Sequence, residues 1–313
     1  IFTRADIEKG RQVWQSIGGQ QLGSIWGHGA YVAPDWSADW LHREATAWLD
    51  ILALRDTGSK YAELPEDQQA ALAARVRPMI RKNTLDPQTE IITVSPDRAA
   101  AIQNVAAHYT SLFGDDPETL ELRKAYAMKN ATVADEQHRV ALGAFIWWSS
   151  WSAVTERPGK SITYTNNWPH DPLVGNTPPS QLLTWTVFSV LFLIAGIALL
   201  GWHHARNKEE APPELPKTDP LALVNVTPSM RATAKYFWLV GALFLTQILL
   251  GAITAHYQVE GQEAYGFQLA EILPYSLTRT WHTQLAVLWI AVAWLGTGLY
   301  IAPALSVHEP KFQ

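Results

Sequence analysis

A histidine stands where an apolar run long enough to cross a bilayer begins: Arg279-Thr280-Trp281-His282-Thr283-Gln284, followed by apolar residues to Ala302. An ionisable ring is expensive at the edge of hydrocarbon, which makes His282 a functional candidate. Imidazole offers two roles there: ligation of a metal or cofactor through a ring nitrogen, or a half-wet interfacial anchor of the kind Trp281 makes. The residue alone leaves both open. His256 and Glu260 lie one helical turn apart at the end of another apolar run. A titrating ring beside a carboxylate can move protons; a wet helix end with a polar cap is the plainer reading. The third notable stretch is a glycine-rich loop, Gly27-His28-Gly29-Ala30-Tyr31-Val32-Ala33-Pro34-Asp35. His28 reads as a loop residue, His42 and His138 as solvated surface on charge-rich helices, and His203-His204 as interfacial residues at a span end.

Composition narrows the chemistry. The 313 residues leave room for two domains. A net charge of -5 with no Lys/Arg stripe excludes nucleic acid as a partner. The absence of cysteine removes disulfides, thiolate metal sites and covalent c-type haem through C-x-x-C-H. Metal chemistry must then use histidine, carboxylates or carbonyls. A start at Ile1 and a charged, loop-like end at Gln313 are expected of a portion of a longer polypeptide.

The elements that must position these residues fall into two halves. Residues 1–180 read as soluble and mainly helical. Thr3 and Asp6 open a helix over 4–17 that Gly18-Gly19 stops. Trp40, Leu41, Trp48, Leu49 and Leu52 return at helical spacing over 37–55, with Gly58 as a stop. Helices follow over 65–82, from Ser95-Pro96 to Gly114, over 116–128 and over 135–154, with a strand-like piece at 88–94. The aromatic run Phe145-Ile146-Trp147-Trp148-Ser149-Ser150-Trp151 suits a membrane surface, an interdomain contact or a tryptophan-rich core. The stretch 158–179, dense in Pro, Asn, Gly and Thr, reads as a linker.

Three apolar runs of about 20 residues complete the chain, each enough to cross about 30 Å of hydrocarbon as a helix. They assign 181–202, 236–255 and 282–303 to the membrane, with loops at 203–235 and 256–281 and a tail at 304–313. Arg206, Lys208, Lys217, Arg231 and Lys235 fall in the first loop, whereas the second holds Arg279 alone among Lys and Arg. By the positive-inside rule the first loop and the tail are cytoplasmic, and domain 1–180 and loop 256–281 are on the outer, periplasmic side. His256, Glu260 and His282 then share one membrane edge.

The sequence resembles the N-terminal part of a quinol-dependent, single-chain nitric oxide reductase of the haem-copper oxidase superfamily, over essentially its whole length. Gly27 to Asp35 is similar to a signature of the cytochrome c subunit of the related two-subunit enzymes, and Arg279-Thr280-Trp281-His282 with Leu285, Trp289 and Tyr300 resembles the second core helix of the catalytic subunit. Where that cytochrome subunit has C-x-x-C-H, this chain reads Gly19-Gln20-Gln21-Leu22-Gly23. The implied fold is mainly α: a cytochrome c-like soluble domain lacking the haem c motif, then a transmembrane helix bundle with three spans in this chain. The resemblance further implies that His282 is an axial ligand of low-spin haem b. It makes His256 and Glu260 a quinol-site pair, and it gives the backbone carbonyls of Gly29 and Tyr31 to a calcium ion, a hard cation suited to oxygen donors.

The implied function is the electron-input portion of an enzyme of the bacterial inner membrane that oxidises quinol and reduces two NO to N2O and water. Haem b3 and a non-haem iron would lie outside this chain, so no catalytic residue is expected within it. The partners would be lipid, quinol, NO and the remaining C-terminal bundle of the same polypeptide, with a homodimer through the first span left open. The alternative is a non-enzymatic, membrane-anchored periplasmic sensor or binding module.

Overall fold

The computed structural model describes residues 1–27, 32–206, 217, 225–259 and 265–306. Side-chain caps start five of the eleven α-helices among the described residues. The Thr3 hydroxyl accepts from the Asp6 amide at 3.2 Å and the Asp6 carboxylate accepts from the Thr3 amide at 2.8 Å, opening α1 at Arg4–Ser16. Gly18, at φ 64°, turns the chain, and α2, Gly19–Leu22, follows at once; a side chain at Gly19 would overlap the Trp14 ring. Asp35 caps α3, Trp36–Thr57, which Gly58 closes in the left-handed conformation at φ 76°. Helix α4 is Glu66–Arg81, and a hairpin of β1, Leu85–Asp86, and β2, Ile91–Ile92, follows with Leu85 opposite Ile92. Ser95 caps α5, Pro96–Leu112. A 3-10 turn at Pro117–Thr119 leads into α6, Leu120–Ala125, and Asp135 caps α7, Glu136–Val154. The remaining helices are α8, Ser180–Arg206; α9, Pro228–Ala232; α10, Ala234–Val259; and α11, Tyr275–Ser306.

The chain forms two compact units, Ile1–Pro179 with Gly251–Thr280, and Ser180–Leu250 with Trp281–Gln313. In the first, α1 lies along α7, and α3 packs on α4, α5 and α7. Its main core gathers Trp14, Trp36, Trp40, Tyr109, Phe113, Ile146 and Trp151; a second cluster joins Leu41, Trp48, Leu49 and Leu52 to Val76, Ile80 and Val174. The aromatic end of α7 is therefore core: Trp147 and Trp151 are buried between its neighbours.

Two expectations change here. The stretch 158–179 is no linker, since Thr163, Val174 and Asn176 are fully buried. Asn176 donates to the carbonyls of Ala153 and Pro169, while Arg81 donates to the side-chain oxygens of Asn167 and Asn176. Its Pro, Asn and Thr residues satisfy polar groups across the domain instead of keeping the chain loose. The stretch 256–281 is likewise not simply a loop. Tyr257, Ala270, Tyr275 and Thr278 are buried. The Tyr275 amide donates to the Ala127 carbonyl at 3.2 Å, and Glu271 accepts from the Asn130 amide at 3.0 Å.

Among the described residues three helices are long and apolar enough to cross a membrane, Ser180–Arg206, Pro228–Tyr257 and Tyr275–Ala304, and the second unit holds all of the first and most of the other two. Each extends beyond the span read from hydropathy alone, because polar and aromatic flanks continue the backbone ladder. Helix α8 has no buried residue. The portions of α10 and α11 in this unit run antiparallel, Tyr236 facing Gly296, where an added side chain would stand 3.1 Å from the Tyr236 Cβ.

Candidate functional site

His282 lies seven residues after the first residue of α11, about 10 Å along the helix axis and so well inside it. Its half-buried ring places Nδ1 2.9 Å from the backbone carbonyl oxygen of Gln247 on α10. A carbonyl can only accept, so Nδ1 carries a proton, and in a neutral ring Nε2 would then keep its lone pair. Among the described residues Nε2 has no hydrogen-bond partner. The Gln247 side chain is also engaged: its Oε1 accepts from the Trp289 indole at 2.7 Å. Trp289 in turn meets the Phe244 ring edge-on, with centroids 5.3 Å apart.

Gln247 escaped the sequence reading, although an amide inside an apolar run is itself a signal. Trp289 entered it only as part of a motif. Together His282, Gln247 and Trp289 form a small polar contact, with Phe244 packed against the indole.

The other expected site residues are distributed differently. His256 is exposed near the end of α10, its ring 6.1 Å from that of Tyr265. Tyr265 donates to the Ile253 carbonyl and Tyr257 to that of Leu273, so the tyrosine beside His256 and its neighbour both have bonded hydroxyls. Glu260, the other half of the expected pair, lies outside the described residues, as do His28, Gly29 and Tyr31. The flanks of that loop are fixed by Asp35, which accepts from the Ser24 hydroxyl at 2.7 Å, the Gly27 amide and the Ala38 amide at 2.8 Å. Trp168 Nε1 closes the other side by donating to the Gly27 carbonyl at 3.0 Å. His42 is a surface residue, 65% exposed and 3.4 Å from Asp171.

Electrostatic perturbation concentrates elsewhere in the first unit. Burial raises the Tyr109 hydroxyl well above its ordinary value, reinforced by Asp39, which accepts its proton at 2.8 Å. Burial also lowers His108, with help from the Arg43 guanidinium. Tyr109 belongs to the main core of this unit, and His108 meets its ring edge-on.

No group of three or more His, Asp or Glu side chains is placed to hold a metal among the described residues. Haem would suit such a site, since it asks the protein for few ligands. An imidazole held through Nδ1, whose Nε2 would be unprotonated in the neutral form, fits that demand.

Comparison with known proteins follows the same division. The family described as the cytochrome c-like domain of the nitric oxide reductase NorB matches residues 1–170. The family described as cytochrome c and quinol oxidase polypeptide I matches residues 231–313, which include Gln247, His282 and Trp289. A search among curated proteins gave no match. With its cytochrome c-like domain leading into oxidase-type membrane helices, the chain belongs to the NorB family of nitric oxide reductases.

Proposed function

We propose that this chain is the electron-input portion of a quinol-fed nitric oxide reductase. The coarser statement rests on family membership: this is a multi-pass membrane protein of the haem-copper oxidase type, an oxidoreductase with haem and iron cofactors. The finer reading assigns His282 to low-spin haem b, whose iron its Nε2 would hold. The observation that carries it is the hydrogen bond from Nδ1 to the Gln247 carbonyl, which holds the ring in the ligating tautomer.

Haem supplies one-electron chemistry when bound. The chain's own residues act on protons and on orientation. His256 and Glu260 would accept the two protons that a quinol releases with its two electrons. The overall reaction balances: quinol and two NO give quinone, N2O and water. Reduction of NO would occur at a haem b3 and non-haem iron centre formed by ligands outside this chain. The carbonyls of Gly29 and Tyr31 would hold calcium, in a loop whose flanks Asp35 and Trp168 fix. The excess of Lys and Arg between the first two spans supports a periplasmic first unit and an inner-membrane location. Against a merely anchored binding module stands the match to the oxidase family over the helices themselves.

A reduced-minus-oxidised optical spectrum of the full-length protein in membranes tests the reading. We expect b-type bands without c-type bands, and loss of the low-spin contribution in His282→Ala. His256→Ala should lose turnover with quinol yet keep turnover with an artificial donor that reduces haem directly. A spectrum without haem, or an unchanged one in His282→Ala, overturns the assignment; equal loss with both donors removes His256 from quinol chemistry.

A further inference from the structure

Gln247 uses both of its oxygens on α11. The backbone carbonyl accepts from His282 and the side-chain Oε1 accepts from Trp289, at 2.9 and 2.7 Å. His282 and Trp289 are seven residues apart, two helical turns, and so share one face of α11. One residue of α10 therefore grips that face at two points. A primary amide in apolar surroundings is costly unless its groups are engaged, and here its oxygen is. Phe244, one turn before Gln247, packs its ring edge-on against Trp289 and limits the directions from which the indole can approach.

We propose that Gln247 is a positioning residue for haem b, acting through His282, with Trp289 as the key that sets its place. The inference rests on reading His282 as the haem ligand. The carbonyl of Gln247 fixes the tautomer and plane of the imidazole. By accepting the Nδ1 proton it also makes Nε2 a stronger donor, which favours the oxidised iron. The indole bond holds α10 at the depth where that carbonyl meets the ring. Removing the side-chain bond should let the backbone bond lengthen, although the carbonyl itself remains.

The test uses Gln247→Leu and Trp289→Phe, singly and together, in the full-length protein in membranes, with His282→Ala alongside. Haem b content, the low-spin spectrum and the midpoint potential are measured on each. Each single variant should weaken haem retention by about tenfold, the lower end for losing a group that orients a metal ligand, and should move the midpoint potential upward. The double variant should be no worse than the more severe single one, because both changes break the same bond. Additive losses, or an unchanged potential and haem content in both single variants, overturn the proposal. If Gln247→Leu fails to insert, Trp289→Phe carries the test, since it keeps an aromatic ring in the same space. Loss of haem b in His282→Ala with silent Gln247 and Trp289 variants would leave the ligand assignment standing and remove only the positioning role. Haem b intact in His282→Ala would remove the assignment itself.

Discussion

Glu44 and Arg98 form an ion pair at 2.7 Å with side chains 1% and 3% exposed. Trp40 donates to the second Glu44 oxygen at 3.0 Å, and the Arg98 guanidinium lies 5.8 Å from the Trp48 ring centroid. Burying two charges is expensive, and their attraction offsets that cost only while both are present. Arg98→Met should therefore destabilise the first unit by about 3–5 kcal/mol, read as a lower urea midpoint followed by tryptophan fluorescence. Adding Glu44→Leu should recover most of the loss; no recovery would mean that the cost comes from packing and not from the stranded carboxylate. This pair also shows why some residues were hard to read. Glu44 lies one turn from Trp40 and one turn from Trp48, on the buried stripe of α3, yet its partner is 54 residues away. A charge on an apolar stripe becomes interpretable only when the opposing helix is in place. Gln247 was missed for a related reason: its meaning depends on two side chains of α11.

At the scale of elements, the local signals were legible and the packing was not. The Thr3 and Asp6 cap, the Ser95-Pro96 start and the Gly58 stop each act within a few residues, and all three appear in the structure. Whether the aromatic end of α7 faces lipid or core depends on α1 and α3 instead, which is why the sequence left it open. Two glycines in this packing make opposite predictions. A side chain at Gly10 of α1 would fall on the Ala141 carbonyl oxygen and crowd the Phe145 Cβ, so the helices approach as closely as they do only without one. At Gly143 of α7 an added Cβ would meet only Trp40, at an ordinary 3.9 Å. Alanine favours a helix over glycine by about 0.8–1.0 kcal/mol, whereas forcing atoms into a packed interface costs about 1–3 kcal/mol. Gly143→Ala should thus raise the urea midpoint and Gly10→Ala should lower it. The same sign for both would show that the interface between α1 and α7 yields more readily than the close approach implies.

At the scale of the molecule, the first unit is built from two separated parts of the chain, Ile1–Pro179 and Gly251–Thr280. Hydropathy divided the sequence into a soluble half and a membrane half because apolar runs are visible without any contact. It had no means of showing that the segment between the second and third spans completes the core of the first unit. Tyr257, Ala270 and Tyr275 belong to the same cluster as Trp14, Trp36 and Trp151. Arg279 adds a bond to the Gln21 carbonyl at 3.2 Å. A fragment of residues 1–179 should consequently expose apolar surface that the full chain covers. It should bind a hydrophobic dye such as ANS and unfold at lower urea than the same residues in the whole protein. Joining residues 251–280 to that fragment through a flexible linker should reduce dye binding and raise its midpoint. A fragment 1–179 as stable as the intact unit, with no dye binding, would mean that the returning segment merely rests on a finished core. The expected result would instead make the end of α10 and the start of α11 a structural part of the domain. In that case folding of residues 265–280 is coupled to folding of the first unit, since both draw on the same buried tyrosines.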